Sequence, residues 1–426
     1  MTMTKKVILI VVAALVNVMI MFDPGRKMTL YVGFYCDSSW GVPYSSSDNV
    51  INDVIALFEQ RHPNVKVVYE SGVRKQDYTK YLANLILTGK QPDVYMVPDD
   101  CFDLLASAKA LEPLEDYMKN DHISSSLFFE CSLSAGEYNG QQMALPFESN
   151  PALMCMNKDI LKTCHVAMPD SSWTTDDLYS LCQQITAEGL YGVVDYSWIN
   201  AVEAYGIDLF RNDYKQIRFN TLEMRKALSF EQQLMKLNGN SLVTSEDFDE
   251  GKVAFKPMSV AEYRTYRPYP YRIAKYSTFK WKCIELPVNA RAKAETPVET
   301  SLFAMSSQSR HKELSWEFLQ LLCLDETIQQ ELMTSSKGVS VLKNIVASDE
   351  TKTIMSEDDM SEDALSPALL MSIMEHGKSV TKAKDYDTLM AIVDDKITQS
   401  LNSDSIDLDL ADIEKAIESY RASIND

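Results

Sequence analysis

The sequence predicts an α/β fold divided between two lobes, on three observations. Helical and strand periodicities alternate along the chain, the pattern of open α/β sheets. Its 426 residues exceed the size at which a single core keeps growing. The third observation is the stretch Tyr138 to Lys158, YNGQQMALPFESNPALMCMNK. It reads as an Asn139-Gly140 turn, an apolar strand running into Pro146, a polar elbow at Phe147-Glu148-Ser149-Asn150, and a second apolar strand ending at Asn157-Lys158-Asp159. Polar residues exposed where a strand meets a breaker are placed to face a ligand in a crevice. The segment therefore reads as a crossover between the lobes.

At the amino terminus, Lys5-Lys6 precede an uncharged run from Val7 to Phe22 that Asp23-Pro24-Gly25 stop, the layout of an export signal. As a helix the run spans about 24 Å against a hydrocarbon core of roughly 30 Å, which fits a cleaved signal. It ends in Asn17-Val18-Met19-Ile20-Met21-Phe22, without a small-x-small cleavage pattern, and no lipid-attachment cysteine box follows. An uncleaved amino-terminal anchor over residues 1–27 is the expectation, with secretion the outcome if the segment is removed.

A first strand is expected at Thr29 to Phe34, strands at Val65 to Tyr69, Asp93 to Val97 and Met143 to Pro146, and helices at Val50 to Phe58, Tyr78 to Leu87, Leu222 to Leu237 and Leu314 to Leu324. From Ile345 the chain is acidic and helical, with a turn at Ser403-Asp404-Ser405 before a last helix, Leu410 to Ile424. Eight cysteines are scattered without the close pairs of zinc or redox sites, mostly inside apolar patterns, so buried free thiols are expected over disulfides; Cys155 and Cys164 are the nearest local pair.

Composition narrows the function. A formal net charge of −20 repels nucleic acid and other polyanions and says little about a neutral solute. The five histidines are isolated, no His-x-x-x-His spacing or Gly-x-Ser-x-Gly elbow occurs, and the acids Asp99-Asp100 and Glu357-Asp358-Asp359 form no recognisable catalytic pair. The second group belongs to an acidic run, Ser356 to Asp363, of the kind that covers solvated faces. No catalytic activity, metal or cofactor is expected.

Motifs in order along the chain resemble the family 1 extracellular solute-binding proteins of bacterial ATP-driven importers, of the sugar-binding type. The crossover stretch is similar to the family's "YG-x-P…YNKDLF". VINDVIALFEQRHPNVKVVYE (Val50 to Glu70) resembles its helix, "P-N-I-K-V" turn and second strand, and LANLILTGKQPDVYMVPDD (Leu82 to Asp100) its "G-x-x-P-D-V" step. ALEPLEDY (Ala110 to Tyr117), MPDSSWTTDDLYSLCQQIT (Met168 to Thr186), DFDEGKVAF (Asp247 to Phe255) and SWEFLQLL (Ser315 to Leu322) follow in the family's order. The resemblance covers residues 28 to 400. It implies a periplasmic binding protein-like fold whose lobes are discontinuous and joined by a hinge, with changes of lobe near Ser149, Ala290 and Ser340. One lobe would comprise 28–149 and 291–339, the other 150–290 and 340–426.

A sugar site needs flat rings to stack on pyranose faces and short polar groups for hydroxyls. By the resemblance, Asp100 occupies the place of a carboxylate that contacts ligand hydroxyls, its structural alternative being the N-cap of the helix near Phe102. Asn150, with Glu148 beside it, matches the elbow position that faces the ligand; the alternative is a plain strand-end turn. Asp195-Tyr196-Ser197-Trp198 resembles an aromatic cassette of some sugar binders, which puts Tyr196 and Trp198 in the site against a core reading. Tyr386 falls where relatives place a stacking ring at the start of a late helix, and Trp40 follows the first strand. Tyr263, in the loop after Phe255, completes the expected set, while Trp173 and Trp316 match structural tryptophans.

The sequence departs from the family pattern at Met156-Asn157, at Glu299-Thr300-Ser301 and in Pro257 to Tyr263. Between Tyr263 and Lys282 it reads YRTYRPYPYRIAKYSTFKWK, a basic and aromatic stretch in an acidic protein, explained by strand-edge side chains near the hinge or by docking on lipid or a partner. The resemblance implies a monomeric receptor that closes on a small solute, a carbohydrate, and presents it to importer permease subunits. A membrane-anchored sensor regulating a partner such as a histidine kinase is the alternative.

Overall fold

The computed structural model describes residues 27–43, 45, 47–207, 209–211, 216–217, 219–239, 241–265, 280–293, 295–358, 365–380, 386–401 and 410–425. The amino-terminal segment, most of the basic-aromatic stretch, the end of the acidic run after Asp358 and the turn at Ser403-Asp404-Ser405 lie outside the described residues. Among those described, no helix is long and apolar enough to cross a membrane.

One sheet of ten strands organises the chain. Its members are β1 (Met28–Gly33), β2 (Val65–Val68), β3 (Val94–Val97), β4 (Leu145–Asn157), β5 (Tyr191–Val193), β6 (Val253–Ser259), β7 (Trp281–Ile284), β8 (Thr296–Met305), β9 (Val339–Ser340) and β10 (Gly377–Ser379). The order is β2-β1-β3-β8-β4-β6-β5, with β7 and β9 also on β4 and β10 on β8. Strands β1, β2 and β3 run parallel, as do β5 and β6, each set linked by helices.

The strand β4 joins the halves. Its first part pairs β8 as far as Pro151 with Val298, and from Ala152, opposite Ser259, it pairs β6. The elbow expected at Phe147 to Asn150 is thus not a break but the middle of one 13-residue strand, buried throughout except for Ala152. Pro146 is accommodated because the ladder shifts register there, Ser301 facing Glu148 and Leu302 facing Pro146, and a bulge tolerates a residue without an N–H.

Two apolar cores lie along this sheet. One gathers Leu30, Val54, Phe58, Tyr95, Phe147, Phe303, Phe318 and Leu332. The other gathers Met154, Trp173, Leu178, Trp198, Phe219, Leu228 and Phe255 with Leu389, Val393 and Ile417. A change of lobe is expected near Ser340. Ser340 pairs Glu148 on β4, and Leu342, Val346, Leu370 and Met374 pack in the first core, while the helix Tyr386–Leu401 supplies the second. The apolar faces of the helices Lys343–Val346 and Pro367–Glu375 are complemented by the first core.

The expected helices form within a turn of their predicted bounds, as Ser47–Arg61, Lys75–Leu87, Leu222–Leu237 and Lys312–Leu324. The Thr221 hydroxyl starts the third by accepting from the Met224 N–H. No disulfide joins Cys155 and Cys164, and five of the eight cysteines are buried.

Candidate functional site

Parallel strands expose the loops at their carboxyl ends, and β1 and β3 end side by side. The loop after β1 brings Trp40, and the turn after β3 brings Pro98, Asp99 and then Phe102 and Asp103 of the helix Phe102–Ser107. These side chains and Ala135, with Glu299, Thr300 and Leu302 of β8 and Val380 after β10, line a narrow crevice of about 40 Å³. An indole, a phenyl ring, three carboxylates and a hydroxyl share its walls.

Electrostatics fixes the first of those carboxylates. Lys75 Nζ lies 3.0 Å from Asp99 Oδ2, donates to the Ser39 carbonyl and stands 5.8 Å over the Tyr35 ring. Burial, with Asp99 nearby, pushes the Tyr35 phenol far above its ordinary value, so it stays neutral. Lys75 thereby neutralises one acid of an otherwise acidic wall.

Of the expected residues, Trp40 is on the crevice. Glu148 lies behind it with no exposed surface, and its carboxylate is spent on protein donors: Trp40 Nε1 at 2.6 Å, the Gly338 N–H at 3.0 Å, Ser47 Oγ at 3.3 Å and the Ser336 side chain. Burial raises its pKa while these four donors pull it back. It supports the wall from behind. Asn150 is likewise buried and takes the Ala261 N–H on Oδ1 at 3.0 Å, fixing the helix Val260–Thr265 to β4.

Asp100 stands one residue beyond the lining acid. Its carboxylate accepts from Cys101 Sγ, and with burial as the larger cause it pushes that thiol up to about 12. It does not cap the next helix either, since Cys101 occupies the N-cap without a side-chain bond. Trp198 and Tyr196 sit in the second core. Trp198 is 3% exposed and donates Nε1 to Asp394 at 2.7 Å, and Tyr196 meets Phe230 edge-on at 6.0 Å. The core reading of that cassette is the one the packing supports. Tyr263 is buried edge-on to Trp281, and Tyr386 is the first residue of its helix. Trp173 and Trp316 are buried and donate to the Glu285 carbonyl and to Asp121.

The crevice is also lined by Asp99, Phe102, Asp103, Glu299 and Thr300, which the sequence reading does not place against a ligand. Asp99 carried a signal, the adjacent acid pair, in which the choice between neighbours was left to a motif match. Glu299 and Thr300 stood out only as a departure from the family pattern.

The second half contributes its own polar cluster. Asp195, in a left-handed conformation at φ 56°, accepts from Lys256 Nζ and Ser245 Oγ, and Glu262 Oε1 lies 3.7 Å from the same lysine. Burial would raise Asp195, but the lysine and serine outweigh it and hold the acid below its usual range. Glu203, on the helix Trp198–Ala204, is pushed up to about 7 by burial, with Lys378 lowering and the crevice residue Glu299 raising it. Among the described residues no group of acids, histidines and cysteines could hold a metal ion.

A family described as bacterial extracellular solute-binding protein matches residues 53–359. The chain belongs to this family. Its members bind solutes outside the cytoplasm, and that is where the assignment places this solute-binding protein. A maltotriose-binding protein of Pyrococcus abyssi is 32% identical over 99 residues, which are 23% of this chain and 21% of that protein, so the chain matches about a fifth of that relative's length. The sugar-binding protein MalE of Xanthomonas citri superposes with a TM-score of 0.76 at 15% identity, covering 93% of this chain and 98% of that one. The cyclic α-maltosyl-1,6-maltose binding protein of Arthrobacter globiformis gives 0.72 at 15%, covering 92% and 97%. At such identities the likeness establishes the fold, that of two-lobe periplasmic binding proteins.

Proposed function

We propose that this solute-binding protein captures an oligosaccharide of α-linked glucose between its lobes and delivers it to an ATP-driven importer, without chemistry on the sugar. The observation that carries the proposal is the crevice at the carboxyl ends of β1 and β3, where Trp40 and Phe102 stand among Asp99, Asp103, Glu299 and Thr300. Rings stack on the apolar faces of pyranoses, and carboxylates and hydroxyls take their O–H groups. The Pyrococcus and Arthrobacter proteins, a maltotriose-binding and a cyclic α-maltosyl-1,6-maltose binding protein, support the choice of sugar.

Binding requires motion. The crevice of about 40 Å³ holds a few waters, whereas sites that enclose a small molecule run to roughly 300 Å³ or more. Opening would pivot on the shared strand β4, near Pro151, where its partner passes from β8 to β6. The proposal includes tethering by the apolar run Val7 to Phe22; a mature form beginning after Phe22, recovered soluble from native cells, would overturn the tether.

The test is a thermal-shift and calorimetry screen of maltotriose, maltotetraose and a cyclodextrin against amino acids and peptides. A ligand that binds only the native state raises the melting temperature. Stabilisation by an α-glucan supports the reading, and stabilisation by amino acids or peptides alone sinks it.

A further inference from the structure

Two segments distant in sequence, 40–47 and 336–338, converge on the Glu148 carboxylate. Trp40 Nε1 reaches it across 108 residues, Ser47 Oγ across 101 and the Gly338 N–H across 190. The indole bond is short for a neutral donor, as a carboxylate acceptor makes it. Gly338 is required by space: a Cβ there would run into the carboxylate and lie 2.6 Å from Trp40 Nε1. Its carbonyl, in turn, accepts from Arg264 Nη1 at 2.7 Å. Arg264 is 1% exposed, and Nη2 donates to the Met333 carbonyl near the carboxyl end of the helix Glu326–Ser335, where the helix dipole favours a cation.

Arg264 lies where the halves meet, on a helix whose Val260 and Tyr263 pack in the first core. That helix, Val260–Thr265, follows β6 directly and is fixed by Asn150 where β4 passes from β8 to β6. A rotation of the second half about that point moves Arg264 against Gly338. Gly338 and Trp40 share one carboxylate, so the movement reaches the crevice wall.

We infer that Glu148 is a positioning residue, which holds the Trp40 indole on the crevice wall and, through Gly338, couples that ring to Arg264 on the helix that follows β6. The functional consequence rests on the sugar reading; the coupling rests on the hydrogen bonds. Because coupling is reciprocal, a solute stacked on Trp40 biases the setting of the helix Val260–Thr265, and the setting of that helix tunes affinity.

The test combines two readouts on the full chain. Exchange of the Trp40 indole N–H, assigned with Trp40→Phe in nitrogen-labelled protein, is followed without ligand, and affinity for maltotetraose is measured by calorimetry. Glu148→Leu should speed indole exchange at least tenfold and weaken binding at least tenfold. Glu148→Gln, which keeps an acceptor oxygen, should restore both to within about threefold. Added to Trp40→Phe, Glu148→Leu should weaken binding no further, and Arg264→Met should shift the Trp40 indole resonance although its bonds go to Met333 and Gly338. Unchanged indole exchange in Glu148→Leu, an additive loss in the double variant, or an unmoved resonance in Arg264→Met would each overturn the inference. Should Glu148→Leu fail to fold, Gly338→Ala presses on the same carboxylate and carries the same expectation. Absence of maltotetraose binding in the wild type defeats the sugar reading, while the exchange and resonance measurements still decide the coupling.

Discussion

Glu231 should make the protein less stable as pH rises, and removing its charge should abolish that dependence. The residue is 3% exposed inside the second half, and its Oε2 has no hydrogen-bond partner. Burial pushes its carboxyl from 4.5 up to about 8. Across that window the folded protein holds a proton that the unfolded chain has released. Unfolding free energy then falls with pH: the favourable neutral state is fully present below about pH 4.5 and is lost as pH climbs through about 8. At about 1.36 kcal/mol per pH unit the ceiling is about 5 kcal/mol, and structural relaxation and water entry should bring the measured value to about 2 kcal/mol. Glu231→Gln keeps the shape and cannot ionise. Its unfolding free energy should match the wild type at pH 4.5 and exceed it by about 2 kcal/mol at pH 8.5. Urea unfolding across this range, with hydrogen exchange of the helix Leu222–Leu237 to report the second half, measures the difference. Other raised carboxyls such as Glu203 and Asp249 are common to both proteins and cancel. A difference that stays constant with pH would refute the reasoning.

Three further outcomes are expected. Trp40→Ala should weaken saccharide binding by 1 to 3 kcal/mol, roughly 5- to 150-fold, because the ring lines the crevice; calorimetry showing unchanged affinity would remove it from the site. Trp198→Phe should cost about 1 to 3 kcal/mol of stability by taking the donor from Asp394, with affinity untouched, and the opposite pattern in paired denaturation and calorimetry would return Trp198 to the ligand. Solution X-ray scattering should give a smaller radius of gyration with saturating maltotetraose than without, and superimposable curves would argue for a rigid binding module.

How far the site was legible follows from the range of the interactions involved. The helix Leu222–Leu237 could be read because its signals are local: a Thr221 cap, and apolar residues at the spacing that makes one face. The strand β4 was misread as two because Pro146 and Pro151 look like breakers until a bulge and a change of partner strand absorb them. Asp99 and Asp100 are adjacent acids on one turn, and sequence does not say which of them faces the crevice and which turns to Cys101. Trp198 beside polar residues reads equally as a stacking platform or as a core tryptophan. Its indole partner, Asp394, lies 196 residues away.

The sequence by itself determined the α/β class and most helices and strands, since turn geometry and apolar period act over a few residues, and the ordered motifs carried the family. Only tertiary structure decided that Glu148 supports the crevice from behind and that the acids lining the crevice are Asp99, Asp103 and Glu299. A buried carboxylate is tolerable only where donors converge on it, and those of Glu148 come from positions more than a hundred residues away, which no local pattern records.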